Sequence, residues 1–421
     1  MSFTGEEEGV RALAAVSTLF DDEELREVFA ALAQEGEETR IVGGALRDTL
    51  FGRPVREIDL ATTLLPQAVM VLAKAAGLRA IPTGLQHGTV TVLTGEKTFE
   101  ITTLREDIAT DGRHAKVRFG RDFRADALRR DFTMNALSMA PGGRLFDYTG
   151  GLADIAARKV RFIGEPARRI KEDYLRILRF FRFSADFGEG PLDRDGRSAA
   201  INHREGLSFL SRERIRAELL KLLCARRAID VCAEISADGL LDVLLASVSN
   251  PARLRRAMAF SEGSPVDPLL RLAALCVYLP EDAERLRDRL RLSNAEAERL
   301  ERAARALIGL HGLDVPPSSD ELQNMLFRHG RQAASDAMLL AHADASPGHE
   351  GEWAHARKSL DETSEPRLPF SGADMIARGI TEGRAIGEAL RELEARWIKA
   401  GFPNDPASLA QLLNDMPRLV K

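Results

Sequence analysis

The chain has 421 residues, of which 44% are hydrophobic and 29% charged, and its formal net charge is −5. A chain of this length can form two to four domains, and this composition is typical of a folded globular protein. No apolar run approaches the length of a membrane span, and the acidic N-terminus does not resemble a signal peptide. We therefore expect a cytoplasmic protein without a membrane segment.

The cysteine content and the charge distribution indicate which metal sites and ligands to expect. Cys224, Cys232 and Cys276 are widely spaced in apolar, helical contexts, which predicts reduced structural thiols and no zinc site. The net charge does not indicate a nucleic-acid binder. Two segments are nevertheless locally basic, Arg113 to Arg130 and Arg158 to Arg182, and a local positive field is what an RNA or nucleotide ligand requires.

An amphipathic helical segment is predicted over residues 9–36, followed by alternating short strands and helices over 38–104. Within the latter, RIVGGALRDTLFGRPVREIDLATTLLP predicts a strand, a glycine pair that opens a short helix, and a second strand. We expect Gly43 and Gly44, at the start of that helix, to leave backbone N–H groups free for an anion such as a triphosphate.

The second strand carries two acidic residues, Glu57 and Asp59. Because side chains alternate along a strand, both carboxylates point to the same face. They repel each other unless a cation lies between them, and oxygen ligands suit Mg²⁺. Beside a phosphate-binding turn, this pair predicts metal-dependent nucleotidyl or phosphoryl transfer. The alternative is a half-buried edge strand with solvated acids.

A hairpin follows, because GTVTVLTGEKTFEITTL predicts two strands around a turn at Thr94 to Lys97. Glu100 lies in the second strand and faces away from Phe99 and Ile101. If this strand lies beside the strand of Asp59, Glu100 becomes a third carboxylate at the metal site. Otherwise it is a solvent-exposed glutamate.

Residues 105–126 are polar, charged and without periodicity, which predicts a mobile loop. The next motif, LRRDFTMNALSMA, places Arg129 and Arg130 before Asp131 at a predicted helix start. An arginine suits phosphate because its planar group donates two parallel hydrogen bonds, and Asp131 or Asn135 would then bond to a ribose. The alternative is that Asp131 only caps the helix.

The segment RRIKEDYLRILRFFRFSADFG, Arg168 to Gly188, predicts one amphipathic helix. Glu172, Arg176 and Arg179 share its polar face, with Asp173 beside it. This face is either a ladder of salt bridges or a surface that reads a base. An acceptor at Asp173 and a donor at Arg176 match the amino group and ring nitrogen of cytosine and adenine, and they oppose uracil and guanine.

The helix predicted from SRERIRAELLKLLCA, Ser211 to Ala225, is strongly amphipathic. It carries Glu213, Arg214 and Glu218 on its polar side. We expect these residues to support the preceding helix rather than to bind a ligand.

Taken in order, these motifs resemble the class II tRNA nucleotidyltransferase family, which contains the CCA-adding enzymes and the bacterial poly(A) polymerases. The resemblance covers roughly residues 40–225 and rests on VGGALRD, EIDLATT, HGTVTV, FEITTLRED, DGRHAKVRFGRDF, RRDFTMNAL, EDYLRILRFFRF and SRERIRAELLKLL. It implies catalysis by Glu57, Asp59 and Glu100, with Mg²⁺ bound by Glu57 and Asp59 in a two-metal site. The first of these positions is usually aspartate in the family, so Glu57 implies a shifted metal geometry.

The resemblance also implies a set of nucleotide-binding residues around the phosphates, the sugar and the base. They are Gly43, Gly44, Arg47, Arg129, Arg130, Asp131, Asn135, Asp173, Arg176 and Arg179.

Within the family, the segment PTGLQHGTVTV is similar to the CCA-adding enzymes, where the bacterial poly(A) polymerases usually carry a basic GRRF-like sequence. The resemblance therefore implies addition of C, C and A to the 3′ end of tRNA from CTP and ATP, with no protein partner. The alternatives are a poly(A) polymerase of the same family and an RNA-binding relative that has lost catalysis, with Glu57 as its symptom.

The expected fold class is α+β. A small α/β nucleotidyltransferase head with a mixed sheet is predicted over 22–145, followed by all-helical domains: a neck for base recognition over 146–225, a body over 226–310, and a tRNA-binding tail over 311–421. The loop over 105–126 is expected to move when C addition gives way to A addition.

Overall fold

The structure, a computed structural model, describes residues 13–111, 114–263, 265–380 and 383–416, with the backbone alone over 106–111 and 114–117. The chain divides into two compact units, Met1–Val231 and Cys232–Lys421. The described β-structure lies entirely in the first unit, and the second is helical, so the predicted α+β class is confirmed. The boundaries of head, neck, body and tail stay predictions.

The described residues of the first unit form nine strands, and most of them join one sheet. The strands are β1 Thr39–Val42, β2 Ile58–Thr62, β3 Arg79–Gly84, β4 Thr89–Leu93, β5 Thr98–Thr103, β6 Arg105–Asp111, β7 His114–Phe119, β8 Ser138–Met139 and β9 Leu145–Phe146. Seven of them form a sheet in the order β3-β4-β5-β2-β1-β8-β9, and β6 pairs only with β7. Because β2 and β5 are parallel while the other neighbours are antiparallel, the sheet is mixed, as predicted.

The first unit also contains nine helices that lie wholly within it, among the described residues. In the first unit they are α1 Glu23–Ala31, α2 Gly44–Leu50, α3 Pro66–Ala75, α4 Phe123–Leu128, α5 Gly151–Ala156, α6 Pro166–Glu172, α7 Leu175–Phe187, α8 Arg194–Asn202 and α9 Arg212–Cys224. Short 3₁₀ helices lie at Thr18–Asp21, Leu85–His87, Thr133–Asn135 and Arg204–Phe209. α10, Ala228–Ala237, crosses the division between the units.

The second unit continues with eleven described helices. They are α11 Leu240–Leu245, α12 Pro251–Ala259, α13 Pro268–Cys276, α14 Pro280–Leu290, α15 Asn294–Ile308, α16 Ser319–His329, α17 Arg331–Asp344, α18 Glu350–Glu362, α19 Gly372–Ala377, α20 Gly383–Lys399 and α21 Pro406–Asn414. Two tryptophans, Trp353 and Trp397, are fully buried in this unit. Across the described part of the chain, no helix is both long enough and apolar enough to cross a lipid bilayer.

Two of the three cysteines are buried, and Cys224 is exposed. No disulfide joins the three cysteines, and Cys232 and Cys276 are buried. Burial raises the pKa of both thiols to about 12, so they stay protonated at neutral pH.

Residues 105–119 are not the loop that the sequence predicts. They form an antiparallel hairpin in which Arg105 pairs with Phe119 and Glu106 with Arg118; residues 112 and 113 lie outside the described part. The segment HAKVRF alternates polar and apolar residues, the pattern of a strand, and its high charge hides this alternation. Asp122 then ends the connection, because its Oδ1 accepts a hydrogen bond from Arg124 N at 2.8 Å and caps α4.

The single helix predicted over 168–188 is also wrong, because it is interrupted at Asp173. The backbone of Asp173 is extended, with φ −156° and ψ 108°, so α6 ends before it and α7 begins after it. The Asp173 side chain stabilises the break, since Oδ1 accepts a hydrogen bond from Leu175 N at 3.1 Å. Aspartate competes with the helical backbone in this way because its acceptor is short and close to the main chain.

Aromatic packing fixes α7 against the segment that follows α4. Phe132 is fully buried, and its ring lies 5.0 Å from Phe162 and 5.1 Å from Phe183, centroid to centroid. Tilted pairs at this spacing add to the stabilisation gained from burial alone. They hold the residue before Phe132, Asp131, next to the polar face of α7.

Candidate nucleotide-binding site

A cavity of about 750 Å³ lies in the first unit, between the sheet and helices α2, α4 and α7. All ten predicted nucleotide-binding residues line it, together with Asp59 and Glu100. The other lining residues are Val42, Leu60, Ala61, His87, Thr89, Thr102, Arg105, Asp126 and Phe183. Glu57 does not line the cavity. It lies one residue before β2, so the strand begins later than the sequence predicts.

The carboxylates of the strand wall come from neighbouring strands. In the parallel pair β2–β5, Asp59 is the register partner of Glu100, so the predicted juxtaposition of the two strands is confirmed. Burial raises the pKa of Asp59, and the nearby charges of Glu100 and Glu57 add to this effect against the opposing charge of Arg130. A pKa raised in this way shows that burial and the nearby acids disfavour the charged form of Asp59 more than the charge of Arg130 favours it.

The strand carboxylates supply the oxygen ligands that a divalent cation prefers, but they do not form a complete coordination sphere. Within the described ranges, Glu57, Asp59 and Glu100 form no salt bridge with a Lys, Arg or His side chain. The described part of the chain likewise holds no cluster of three or more His, Cys, Asp or Glu residues spaced to grip a metal ion. Hard oxygen donors with uncompensated charge are what Mg²⁺ prefers, and Mg²⁺ commonly takes only one or two protein carboxylates.

The glycine turn makes room for an arginine. Gly43 has φ 71°, a conformation that favours glycine, and a Cβ at this position would lie 2.8 Å from Arg130 Nη1. The sequence predicts a free Gly43 N–H, and this is wrong. The Gly43 N–H donates a hydrogen bond to the Leu137 carbonyl at 3.2 Å. The turn therefore brings a guanidinium group to the cavity and does not present the Gly43 amide to a ligand.

One buried carboxylate, Asp126, holds the two adjacent arginines. Arg129 Nε donates to Asp126 Oδ1 at 2.9 Å, and Arg130 donates through Nε and Nη2 to Oδ2 at 3.1 Å each. Burial would raise the pKa of Asp126, but the charges of Arg130 and Arg129 outweigh it and lower the pKa. Both arginines are therefore oriented before any ligand binds.

Asp131 is not a helix cap. Its Oδ2 accepts from Arg179 Nε at 2.7 Å, and its Oδ1 accepts from Phe132 N at 2.9 Å and Asn135 Nδ2 at 3.0 Å. Burial opposes ionisation, yet the charge of Arg179 and the bond from Asn135 lower the pKa of Asp131. Arg179 thus pairs with Asp131 and not with Glu172, so the predicted ladder along one helix face is wrong for this residue.

The two residues predicted to read the base are each held by a separate partner. Asp173 Oδ2 accepts from Arg214 Nη2 at 2.8 Å. Arg176 Nη1 donates to Glu172 Oε2 at 2.7 Å and to the Arg169 carbonyl at 3.0 Å. These contacts confirm a supporting role for Arg214 and fix both polar groups at the break between α6 and α7.

Supporting contacts continue behind this face. Glu218 on α9 accepts from Arg182 Nε at 2.5 Å and lies 3.9 Å from Arg179 Nη1. On the sheet side, Arg47 Nη1 donates to Asn135 Oδ1 at 2.8 Å, and its guanidinium group lies 4.4 Å from the ring centroid of Phe187. Asn135 therefore links Arg47 to the pair formed by Asp131 and Arg179.

Sequence reasoning missed Asp126 and Arg169. Asp126 precedes Arg129 and Arg130 by three and four residues, the helical spacing of an ion pair, so this signal was available. Arg169 Nη1 donates to Glu172 Oε2 at 2.8 Å. It also donates to the carbonyl of Leu128 in α4, a long-range contact that no local pattern announces.

A mixed sheet with carboxylates on adjacent strands, facing a cavity lined by oriented arginines, defines a nucleotidyltransferase. The Poly A polymerase head domain family matches residues 39–161. Mouse mitochondrial CCA tRNA nucleotidyltransferase 1 is 35% identical over 385 residues, covering 90% of this chain and 87% of the relative. The CCA-adding enzyme of Bacillus velezensis is 31% identical over 382 residues, covering 89% and 93%.

Solved structures of CCA-adding enzymes have the same fold as this chain. The crystal structure of the Bacillus stearothermophilus CCA-adding enzyme in complex with CTP has a TM-score of 0.69 and 28% identity, covering 93% of this chain and 96% of that one. The Thermotoga maritima CCA-adding enzyme shares the fold, with a TM-score of 0.69 at 20% identity, covering 95% and 98%. The chain belongs to the CCA tRNA nucleotidyltransferase family.

Proposed function

We propose that this chain adds C, C and A to the 3′ end of tRNA without a nucleic-acid template, using CTP and ATP. In each step the terminal 3′-hydroxyl attacks the α-phosphate of the incoming nucleotide. A new phosphodiester bond forms, the bond to the β-phosphate breaks, and pyrophosphate leaves. The observation that carries the proposal is that one cavity combines the carboxylates of β2 and β5 with the Asp173–Arg176 pair.

Asp59 and Glu57 would hold the metal, and Glu100 would complete the acidic wall. When bound there, Mg²⁺ would lower the pKa of the attacking hydroxyl and neutralise charge on the leaving group. The placement of Asp59 beside Glu100 on the cavity wall, with no salt bridge from a described cation to either carboxylate, supports this assignment. The carboxyl group of Glu57 is one methylene further from the backbone than the usual aspartate, so we infer an altered preference between Mg²⁺ and Mn²⁺ rather than a lost site.

The triphosphate would lie against Arg129 and Arg130, whose guanidinium groups Asp126 orients at the cavity wall. Preorganised cations of this kind stabilise developing negative charge without reorganising during the reaction. Asn135 and Asp131 would bond to the ribose, with Arg179 and Arg47 fixing their orientation. Gly43 contributes by leaving space for Arg130.

Asp173 and Arg176 would read the base. Asp173 offers an acceptor for the amino group of cytosine or adenine, and Arg176 a donor for the adjacent ring nitrogen. Uracil and guanine would place a carbonyl against the carboxylate and a ring N–H against the guanidinium. Because each side chain is held by its own partner, the pair would select nucleotides without a template strand.

Two alternative functions can be distinguished from CCA addition by experiment. A poly(A) polymerase is the alternative that the head-domain match over residues 39–161 keeps open, and a catalytically impaired RNA-binding relative is the other.

The test is incubation with tRNA lacking its last three nucleotides, with each labelled nucleotide alone and then in combination. We expect CTP alone to give products ending in CC, CTP with ATP to give CCA, and UTP or GTP to give nothing. A long tail from ATP alone would indicate a poly(A) polymerase, and RNA binding without incorporation would indicate the impaired relative.

We also propose the cytoplasm as the location, because the buried thiols Cys232 and Cys276 suit a reducing compartment. The domain boundaries that accompany this function are a head over 22–145, a neck over 146–225, a body over 226–310 and a tRNA-binding tail over 311–421.

A further inference from the structure

An exposed aromatic ring lies next to the residues that would read the base. Phe209, at the end of the 3₁₀ helix Arg204–Phe209, is 80% exposed. No other phenylalanine among the described residues is exposed to this extent. Single exposed apolar side chains are common on protein surfaces, so a binding role depends on what surrounds this ring.

The ring is supported from below by a second aromatic. Its centroid lies 6.0 Å from that of Tyr174, with the planes tilted by 41°. Tyr174 in turn packs directly on the backbone of Gly206, where an added Cβ would lie 1.9 Å from Tyr174 Cδ1. Only glycine permits this contact, so the local sequence places the two rings together.

The aromatic pair is tied to the cavity at two points. Tyr174 directly follows Asp173 in the chain. The helix that begins after Phe209 carries Arg214, whose Nη2 lies 2.8 Å from Asp173 Oδ2. Neither ring lines the cavity itself, so the pair lies beside the place of the incoming nucleotide and not within it.

Charges of both signs lie near the pair in the chain. Lys171 lies three residues before Tyr174 and Arg212 three residues after Phe209, while Glu205 and Glu213 lie four residues before and after Phe209, and all four side chains are exposed. The exposed ring itself is therefore the feature that suits an unpaired nucleotide, because every base has a face that stacks on an aromatic side chain.

We infer that Phe209, supported by Tyr174, stacks on the unpaired 3′-terminal base of the RNA acceptor. The inference rests on the proposed function, since it requires an RNA 3′ end beside the nucleotide cavity. The incoming nucleotide is not the occupant, because its base would lie inside the cavity against Asp173 and Arg176. Stacking is tolerant of base identity, which suits an acceptor whose terminal base changes after each addition.

The test uses tRNA lacking CCA with 2-aminopurine as its 3′-terminal nucleotide, titrated with the full chain in the absence of nucleotides. Stacking quenches the fluorescence of 2-aminopurine, so the wild type should quench it on binding. Phe209→Ala should abolish the quench and raise the KM for tRNA about 5- to 150-fold, the value of one base–aromatic stack, with the KM for CTP unchanged. Phe209→Trp should keep both properties, and Phe209→Leu, which is apolar but has no ring, should behave like the alanine variant.

The matched control is Val71→Ala, since Val71 is another apolar side chain of the first unit, 67% exposed on α3, and it should change neither readout. The inference is overturned if Phe209→Ala quenches and binds as the wild type does, or if it raises the KM for CTP instead of that for tRNA. Failure of the proposed function is distinguishable, because it would show as no nucleotide addition by the wild type.

Discussion

The two walls of the cavity differ in how their charged groups are neutralised. On the strand wall, Asp59 and Glu100 face each other across β2 and β5 without a salt bridge to any described cation, and the pKa of Asp59 is raised by burial and by Glu100. On the helical wall, Asp126 and Asp131 are buried against arginines that lower the pKa of both carboxyls.

This difference assigns the two walls separate tasks. The helical wall is complete before a ligand arrives, so it can fix the orientation of phosphate, sugar and base at little further entropic cost. On the strand wall, Asp59 and Glu100 form no salt bridge with a described cation, so we expect a bound cation to neutralise these carboxylates. Variants on the two walls should therefore fail in different ways.

The largest effect is expected at the strand wall. Asp59→Ala should abolish nucleotide incorporation while leaving tRNA affinity within a few-fold of wild type, because it removes a metal ligand and no expected tRNA contact. Incorporation assays and filter binding measure the two quantities. Asp21→Ala, an exposed acid of the same unit, is the control and should be fully active. Near-wild-type turnover by Asp59→Ala would remove the metal site from this wall.

The hairpin β6–β7 should affect the last nucleotide addition more than the first two. It leads into α4, whose C-terminal end carries Arg129 and Arg130. We expect a shortened hairpin to give products that end in CC, because this segment is expected to reposition the base-reading residues when C addition gives way to A addition. Product lengths on sequencing gels decide this. Equal loss of all three additions would show a general binding role instead.

Base selection should depend on Arg176. Arg176→Ala should lower the CTP:UTP and ATP:GTP ratios of kcat/KM about 5- to 150-fold, the worth of one polar contact to a base edge. Arg168→Ala is the matched control, because Arg168 also contacts Glu172, at 3.6 Å, yet its side chain is 77% exposed. A variant with a lower melting temperature but unchanged ratios would make Arg176 a purely structural residue.

Stability should depend on the buried acid of the helical wall. Asp126→Asn leaves Arg129 and Arg130 without their shared counter-charge and should lower the free energy of unfolding by about 1–3 kcal/mol, less than for fully buried pairs because both arginines are a quarter exposed. The folded-state pKa of Asp126 is lowered, so its contribution is present above the unfolded pKa of about 4 and lost below it. Urea titrations should therefore show the gap to wild type narrowing as the pH falls below about 4. An equal gap at all pH values would contradict the ion-pair account.

The smallest effect is expected for Glu57→Asp. Glu57 lies outside the cavity lining and one residue before β2, and the substitution shortens its reach without changing charge. We expect retained activity with a shifted Mg²⁺/Mn²⁺ preference in steady-state assays. Complete inactivity would mean that the surrounding site is built around glutamate.

The parts of this site that sequence could predict are those set by local period. Alternation placed Asp59 on one strand face, and the turn at Thr94 to Lys97 predicted the strand that carries Glu100, whose parallel pairing with β2 no local pattern shows. The break at Asp173 could not be read from helical periodicity, because the apolar stripe continues across it. The partner of Arg179 is likewise set by the packing of Phe132 against α7, which joins residues far apart in the chain.

Mn²⁺ binding, measured by electron paramagnetic resonance, tests most directly whether the strand wall and not the helical wall binds the cation. Mn²⁺ is a suitable probe because it accepts the same oxygen ligands as Mg²⁺. The wild type and Arg176→Ala should bind Mn²⁺ equally well, and Asp59→Ala should not bind it. Wild-type affinity in Asp59→Ala, or loss of binding in Arg176→Ala, would contradict the assignment of the cation to the strand wall.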